Sequence, residues 1–544
     1  MAQKIVYTAA KPKPVIDPAQ GPQIVLGGQI VTMNAARRVI RDGLLYIDKG
    51  AIIGVVAKGD PAPAGFEKAP VVDTKGTIFP GLIELHNHLS YNLLRLWAVP
   101  KKYSNRGQWA GIPEYRSKIS GPMKLLGGRP DLLAALVRYV ECKCLLAGTT
   151  TSQGIELFSN AGARRFYRGI VRNVEQTNDP NLPEAGTRIP DVDAKDGASF
   201  LARISQKKCY LLHLAEGLDT TARKHFLSLQ FKPGQWAIAP SLAGIHCAGM
   251  LKEDFEIMAA KGASMVWSPL SNMLLYGGTA PVADVLASGV RMGIGSDWSP
   301  SGSKSLLGEL KVAHLYSANH GGLLSDLQIL ELATVNAAAI LGWHNHLGSL
   351  EVSKCADLLV LDGKTDDPYG ALIHANEDSI HLVMINGVPR SATPALMQAF
   401  GIKGETFAVG SAARVVNLAQ TTEDPDVAPI SLALAKKQLT KALGALPNLP
   451  PPVAKRAMKA SGLSWSLVLD ELGPTGMDVR PHLPLFGKPT MEEARGKAGV
   501  KEPVLGPLEL DPITVVDDPG FLSGIKAEEN LPDYLKEGLS QLYA

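Results

Sequence analysis

Residues 82–88, LIELHNH, decide how the rest of the chain is read. The run follows Pro80-Gly81, is apolar at Leu82, Ile83 and Leu85, and ends on two histidines separated by one residue. Side chains of a strand alternate with a period of two, so His86 and His88 share one face at the strand's end. Two imidazoles so placed can hold one metal ion between them. An isolated HxH is a weak signal, and His344-Asn345-His346, which follows a helix-like stretch, is read as structural. The first HxH gains its meaning from what surrounds it.

From Leu82 to about Trp343, strand-like and helix-like segments alternate. After LIELHNH the strand candidates are GTTTSQGI, RGIVRNV, CYLLHLA, WAIAPSLAGIHC, ASMVWSP and VRMGIGSD. Between them DLLAALVRYVECKCLLAG, LKEDFEIMAAKG and VADVLASG look helical, each closing on a glycine. Alternation of this kind predicts a parallel α/β body, a distorted (β/α)8 TIM barrel over residues 81–345. The space between GTTTSQG and His213, about 60 residues, is short for two further strands with their helices, and a fourth strand cannot be placed in it. Upstream, β-branched runs over residues 23–80 and, downstream, further strand signals over 346–419 predict a flanking β-sandwich domain that is discontinuous in sequence. Residues 1–22 read as an N-terminal arm. Residues 420–544 read as a helical and Pro-rich C-terminal extension that wraps the body or an oligomer interface, and they carry no chemical motif.

Composition narrows the partners. The chain has 544 residues, 45% of them hydrophobic, which is ample for a large core and argues against general disorder. Its formal charge of +3 provides no basic field for nucleic acid or an anionic membrane, so a small-molecule substrate is expected. Five cysteines, odd in number and without a CxxC pair, suit a reducing compartment, and the N-terminus has no secretory pattern. The expectation is a cytoplasmic protein. The longest uncharged stretch, Gly262 to Ala283, is interrupted by Pro269, Asn272, Gly277 and Pro281 and does not read as a membrane span. A homo-oligomer is compatible with this composition.

Three more strand ends carry ionisable groups: His213 in YLLHLAEG with Glu216 just beyond it, His246 in AGIHCAGM, and Asp297 in MGIGSDWSPSG. Taken singly, each has an ordinary structural reading, such as a buried histidine, a solvated loop carboxylate or a helix-capping aspartate. Taken together they converge on the side of a barrel where catalytic groups sit.

In this order the motifs resemble the amidohydrolase superfamily, specifically its mononuclear deaminase-like branch, with cytosine and S-adenosylhomocysteine deaminases and triazine hydrolases among its members. The resemblance spans about residues 23–415 and rests on PGLIELHNH, HLAEG, the IHC strand, SPLSNMLLYGGTAPVADVL, GIGSDWSPSG and LGSLEVSKCADLLVLD. It implies that His86, His88, His213 and Asp297 hold one divalent metal ion, zinc first and iron as the alternative. It also implies that Glu216 and His246 act on water and substrate, and that Asn272 in SPLSN lines the site. The binuclear branch uses a carboxylated lysine on the fourth strand, and no lysine stands on a convincing strand there.

The chemistry of these residue types agrees. Three neutral imidazoles and a carboxylate leave a coordination position open for water, whose pKa a divalent cation lowers to about 7. The hydroxide then attacks carbon, while Asp297 takes and passes a proton, His246 stabilises developing oxyanion charge, and Glu216 protonates a nitrogen. The expected function is hydrolysis of a non-peptide C–N bond in a small cyclic or amidine-like molecule, deamination first. The alternatives are ring opening of a cyclic amide, imide or imidazolone and, in a different class, a catalytically silent binding scaffold. Relatives that deaminate nucleosides carry a His-containing motif on the fourth strand, and its absence argues against purine or adenosyl substrates. Trp298, next to Asp297, and Trp109, Arg106 and Arg116 in the long basic and aromatic insertion after the first strand, are candidate substrate contacts.

Overall fold

The structure is a computed structural model and describes residues 23–159, 161–167, 169–420, 427–450, 465–469 and 504–544. The expected N-terminal arm lies outside the described residues, as does much of the Pro-rich part of the extension.

Eight short parallel strands form the centre, in two ladders. One joins Leu82–Ile83, Thr149–Ser152 and Arg172–Asn173; the other joins Gly186–Arg188, Tyr210–Leu214, Leu242–His246, Ser264–Trp267 and Arg291–Ile294. The ladders meet at isolated contacts. Ala185 N donates to Val174 O at 2.8 Å on one side, and on the other Leu85 N donates to Ile294 O at 3.4 Å and Asn87 bridges Asp297 in parallel. The body is therefore a TIM-barrel-like α/β fold in which regular pairing does not run through a closed circuit. Each of the seven strands expected from Leu82 onward is present. The strand that the sequence reading could not place is Gly186–Arg188, and the connection from Val174 to Ala185 contains no helix, which explains how two strands fit the short spacing. Leu182 and Ala185 instead pack that connection against Trp343 and Leu347.

The helices follow the same pattern. DLQILELATVNAAAILGW, the helix-like stretch before His344, forms two helices, Asp326–Leu332 and Val335–Leu341. The break at Ala333-Thr334 frees the Ala333 carbonyl to accept from Ile83 N at 2.8 Å, so this helix pair is tied to the first barrel strand.

Strands from both ends of the barrel segment combine in one nine-stranded mixed sheet. Its order is Glu405–Val409, Ala412–Val416, Val388–Ala392, Ile380–Ile385, Leu358–Leu361, Val71–Pro80, Ile24–Val31, Val39–Asp48 and Ala51–Ala57. The two sequence segments meet where Leu358–Leu361 runs antiparallel to Thr77–Pro80. By hydrogen bonding this is a single sheet, where the sequence reading expected a sandwich. Leu26, Ile30, Leu45, Ile78, Leu358, Leu382 and Met384 fill a core of its own.

The described parts of the extension lie on the barrel. Helix Leu432–Gly444, capped by Ser431, packs against Pro130–Leu146, and Arg138 from the latter donates to Ile430 O at 2.9 Å and Val427 O at 3.2 Å. Helices Pro519–Ala527 and Asp533–Leu542 bury Phe521, Ile525, Leu535 and Leu539 against Leu270, Met273, Leu274 and Val312. Each such side chain contributes roughly 1.5–3 kcal/mol of transfer free energy. Among the described residues no helix is long and apolar enough to cross a membrane.

Candidate active site

The ligand-type residues sit where the parallel strands end. His86 and His88 follow Leu82–Ile83, His213 lies in Tyr210–Leu214, His246 closes Leu242–His246, and Asp297 follows Arg291–Ile294. Backbone contacts fix the outer pair of elements: Asp297 N donates to His86 O at 3.0 Å, and His88 N donates to Asp297 O at 2.6 Å. This approach requires Gly295, because a Cβ there would lie 2.6 Å from the backbone N and O of His86. Ala215, His246, Cys247 and Asp297 hold positive φ angles of 48°, 69°, 50° and 67°. Left-handed backbone costs a non-glycine residue about 1–3 kcal/mol and persists only where the surrounding structure imposes it. Here the strain falls on the residues that turn side chains toward a common centre.

That centre is buried. Asp297 Oδ1 is 3.2 Å from His86 Nε2 and 3.5 Å from His88 Nε2, and His88 Nε2 is 3.3 Å from His213 Nε2. His86 and His213 are 4.7 Å apart between ring centroids, and His246 lies 5.1 Å from His86 and 5.4 Å from His213. The structure thus places the expected metal ligands in two overlapping groups, His86 with His88 and Asp297, and His86 with His213 and His246, joined by the contact between His88 and His213.

Hydrogen bonds set the tautomers. His86 Nδ1 is 3.1 Å from Gln153 Oε1, an acceptor only, so Nδ1 carries the proton and Nε2 presents its lone pair to the centre. His86 Nε2 is fully buried and has no hydrogen-bond partner, as expected of an atom that serves a cation. Likewise His246 Nδ1 donates to Asn272 Oδ1 at 2.9 Å, which leaves Nε2 facing Glu216 Oε2 at 3.8 Å. Burial pushes the His213 imidazole well below its usual pKa, and burial also lowers His246. Burial alone would raise Asp297, but the imidazoles of His86, His246 and His88 hold its carboxyl far below the usual range. A set of neutral imidazoles with an ionised carboxylate is the donor chemistry a divalent zinc-like ion needs.

Behind the ligands, Glu84 accepts from Ser296 N at 2.8 Å, from Ser296 Oγ and from Asn87 Nδ2 at 2.9 Å, joining the strand that carries the histidines to the loop that carries Asp297. The sequence reading did not single out Glu84 or Gln153. Glu84 stands inside the LIELHNH motif, where its position between apolar residues was the available signal.

In front of the ligands is a cleft of about 520 Å³, lined by His88, His213, Glu216, His246 and Asp297 on one side and by Tyr91, Arg106, Trp109, Tyr115 and Trp298 on the other. The aromatic rings form a continuous wall. Trp109 is 5.1 Å from Tyr115 and 6.1 Å from Trp298, and Trp298 is 5.7 Å from the metal-facing His88. Trp109, Trp298 and Arg106 therefore line this cleft. Asn272 lies fully buried behind His246 and is not part of the cleft lining, and Arg116 stands half-buried away from it. The structure adds Tyr276, whose hydroxyl donates to Glu216 Oε1 at 2.7 Å. In the sequence it looks like the last apolar residue of a helix.

The chain is similar to several known proteins. Residues 236–390 match the amidohydrolase family. The 5'-deoxyadenosine deaminase of Methanosarcina mazei is 25% identical over 410 residues, covering 67% of this chain and 91% of its own length. The 5-methylthioadenosine/S-adenosylhomocysteine deaminase of Desulforamulus reducens is 26% identical over 411 residues, covering 67% and 92%. Among solved structures, a zinc-bound adenosine deaminase from Xanthomonas campestris superposes with a TM-score of 0.52 at 19% identity, covering 68% of this chain and 93% of that one. The atrazine chlorohydrolase of Arthrobacter aurescens, complexed with zinc and atraton, gives 0.53 at 18% identity, covering 67% and 94%. The structural likenesses speak to the fold.

Proposed function

Because the chain carries an amidohydrolase-family domain of the deaminase-like kind, we propose that it is a deaminase of a small planar nitrogen heterocycle, with one divalent metal ion held by His86, His88, His213 and Asp297. The observation that carries this reading is the spacing of three donor-atom pairs: Asp297 Oδ1 stands 3.2 Å from His86 Nε2 and 3.5 Å from His88 Nε2, and His88 Nε2 stands 3.3 Å from His213 Nε2. Ligand atoms about 2.0–2.1 Å from a tetrahedral zinc stand about 3.4 Å from one another. Zinc is the first ion to assay, since zinc is bound in both structural relatives named above.

A divalent ion so bound supplies Lewis acidity and lowers the pKa of water to about 7. The chain's own residues do the rest. Asp297, ionised and pointed at the centre, accepts the proton of the attacking water. His246, with its Nδ1 proton committed to Asn272, faces the reacting carbon with Nε2 and orients the nucleophile. Glu216 delivers a proton to the ring nitrogen next to the attacked carbon. A C–O bond forms, the exocyclic C–N bond breaks as its nitrogen takes a proton, and ammonia leaves a ring carbonyl behind. The aromatic wall of Trp109, Tyr115 and Trp298 offers stacking faces to a planar ring.

The test is metal analysis of protein purified without added metal, followed by ammonia detection on a panel that includes 5'-deoxyadenosine, guanine and amino-triazines. One equivalent of metal, lost in His86→Ala, and ammonia release that falls in Glu216→Gln are expected. Turnover without ammonia but with a new carboxylate would replace deamination by ring opening. Metal-free wild-type protein would favour the scaffold reading.

A further inference from the structure

The insertion after the first barrel strand meets the loop that carries Glu216 along its whole length. Leu218 N donates to Ser104 O at 2.8 Å, Arg106 N donates to Glu216 O at 3.3 Å, and Asn105 Nδ2 donates to Asp219 Oδ2 at 2.7 Å. Asn105 and Gly217 form an antiparallel bridge. Gly217 is required for this fit, since it holds φ at 128° and a Cβ there would collide with the Ser104 carbonyl and Asn105 Cα.

The same insertion reaches the Glu216 side chain. Trp109 Nε1 donates to Tyr276 OH at 3.0 Å, and Tyr276 OH donates to Glu216 Oε1 at 2.7 Å. An indole nitrogen can only donate and the tyrosine hydroxyl has one proton, so the direction of the chain is fixed: Trp109 to Tyr276 to Glu216. Glu216 Oε1 is thereby occupied, and Oε2 is left toward His246 at 3.8 Å and Arg106 Nη1 at 3.8 Å. Arg106 is itself tied to Asp191 at 2.5 Å. Tyr276 and Glu216 are buried and Trp109 is half-buried, so the bond between Tyr276 and Glu216 in particular is not replaced by water without cost.

We infer that the insertion is a latch that sets the catalytic carboxylate, with Tyr276 and Trp109 as positioning residues that leave one oxygen of Glu216, and only one, for the substrate. Resting on the reading of Glu216 as the proton-delivering group, this ties the conformation of the insertion to catalysis itself as well as to access. A loop that serves only as a cover would contribute surface to the cleft and leave Glu216 to find its own orientation. The latch instead supplies a hydrogen bond at second hand.

Tyr276→Phe removes only a hydroxyl and so separates its bond from packing, whereas Trp109→Phe removes the indole N–H together with part of the ring. With the substrate identified in the ammonia assay, each is expected to lower kcat about tenfold, and Tyr276→Phe, whose ring is not part of the cleft lining, should hold KM within about twofold. The double variant should be no worse than Tyr276→Phe, because the Trp109 bond acts only through the hydroxyl. Additive losses, a rise in KM at constant kcat, or unchanged kcat would overturn the inference. A second readout needs no turnover. The indole N–H resonance of Trp109 in 15N-tryptophan-labelled protein, assigned by its loss in Trp109→Phe, should shift and exchange faster in Tyr276→Phe. An unmoved resonance overturns the latch even if the enzyme is active. If no compound is turned over by the wild type, the proposed function falls, and the resonance alone decides the latch.

Discussion

Lys143 Nζ and Asp511 Oδ2 meet at 2.6 Å in the interior, although 368 residues separate them in the chain. Lys143 also donates to Asn92 O at 2.7 Å and to Ser299 Oγ at 3.2 Å, and Asn92 Oδ1 accepts from Ser299 N at 2.8 Å. Lys304 pairs with the other oxygen of Asp511 and with Asp518 at 2.7 Å. The C-terminal segment thus neutralises two lysines that barrel residues bury beside the loop following Asp297. Burial depresses the Lys143 amine, and Asp511 acts against that shift.

Removing one partner should therefore cost far more than removing both. Asp511→Ala leaves Lys143 buried without its carboxylate and should destabilise by about 3–5 kcal/mol in urea unfolding. Lys143→Met combined with Asp511→Leu leaves Lys304 paired with Asp518 and should recover a large part of that loss. A single variant as stable as wild type would show that the segment is not needed to compensate the lysines.

Gln153 should matter to the metal without touching it. Its Oε1 accepts from His86 Nδ1 at 3.1 Å and from Asn87 N at 2.9 Å, holding the imidazole in the tautomer that presents Nε2. Gln153→Leu should weaken zinc binding by about 10–100-fold in chelator competition while leaving the far-ultraviolet circular dichroism unchanged. Equal affinity in wild type and variant would exclude this role.

The thiols should be silent in the folded protein. Cys142, Cys144, Cys209 and Cys247 are buried, and burial pushes the Cys209 thiol up to about 12 and the other three further still. Cys355 is partly exposed, with its thiol pushed up to about 11, chiefly by burial. A thiol reagent at neutral pH should label at most Cys355 in native protein and all five on unfolding. Rapid labelling of two or more native thiols would contradict this burial.

The clustered histidines and Asp297 were legible because strand-end histidines and an aspartate announce themselves by type and by the period of two. Gly186–Arg188 was not, since the three residues Gly-Thr-Arg offer no apolar run and the strand is defined by its pairing with Tyr210–Leu212. Tyr276 was hidden for a different reason. At the end of an apolar helix its ring looks like core, and the partner of its hydroxyl is 60 residues away. Lys143 and Asp511 share that difficulty, because nothing local marks a charge whose counter-charge is supplied by tertiary structure. The same holds for Asn272, whose motif indicated the site correctly while its side chain serves His246 and not the cleft.

Glu309 gives the chain a pH dependence that one substitution should remove. Its carboxyl is fully buried, accepting from Leu270 N at 2.9 Å and from Ser303 Oγ, and burial outweighs these bonds to push its pKa from 4.5 up to about 8. Between those values the folded protein keeps a proton that the unfolded chain has released, so folding stability from this group falls by about 1.4 kcal/mol per pH unit as pH rises. Below 4.5 both states are protonated and above 8 both are ionised, so the contribution is flat outside the window. Glu309→Gln keeps an acceptor for Leu270 N and offers Ser303 Oγ an amide N–H in place of a carboxyl oxygen, but cannot ionise. Its stability relative to wild type should climb between pH 5 and pH 8 and level off above. Lys311, whose amine burial pushes down to about 7, titrates in both proteins and cancels in the difference. A difference in unfolding free energy that does not change across that window would mean that Glu309 is ionised in the folded state at neutral pH, and that the cavity around it is more polar than its neighbours Leu270 and Ser303 make it.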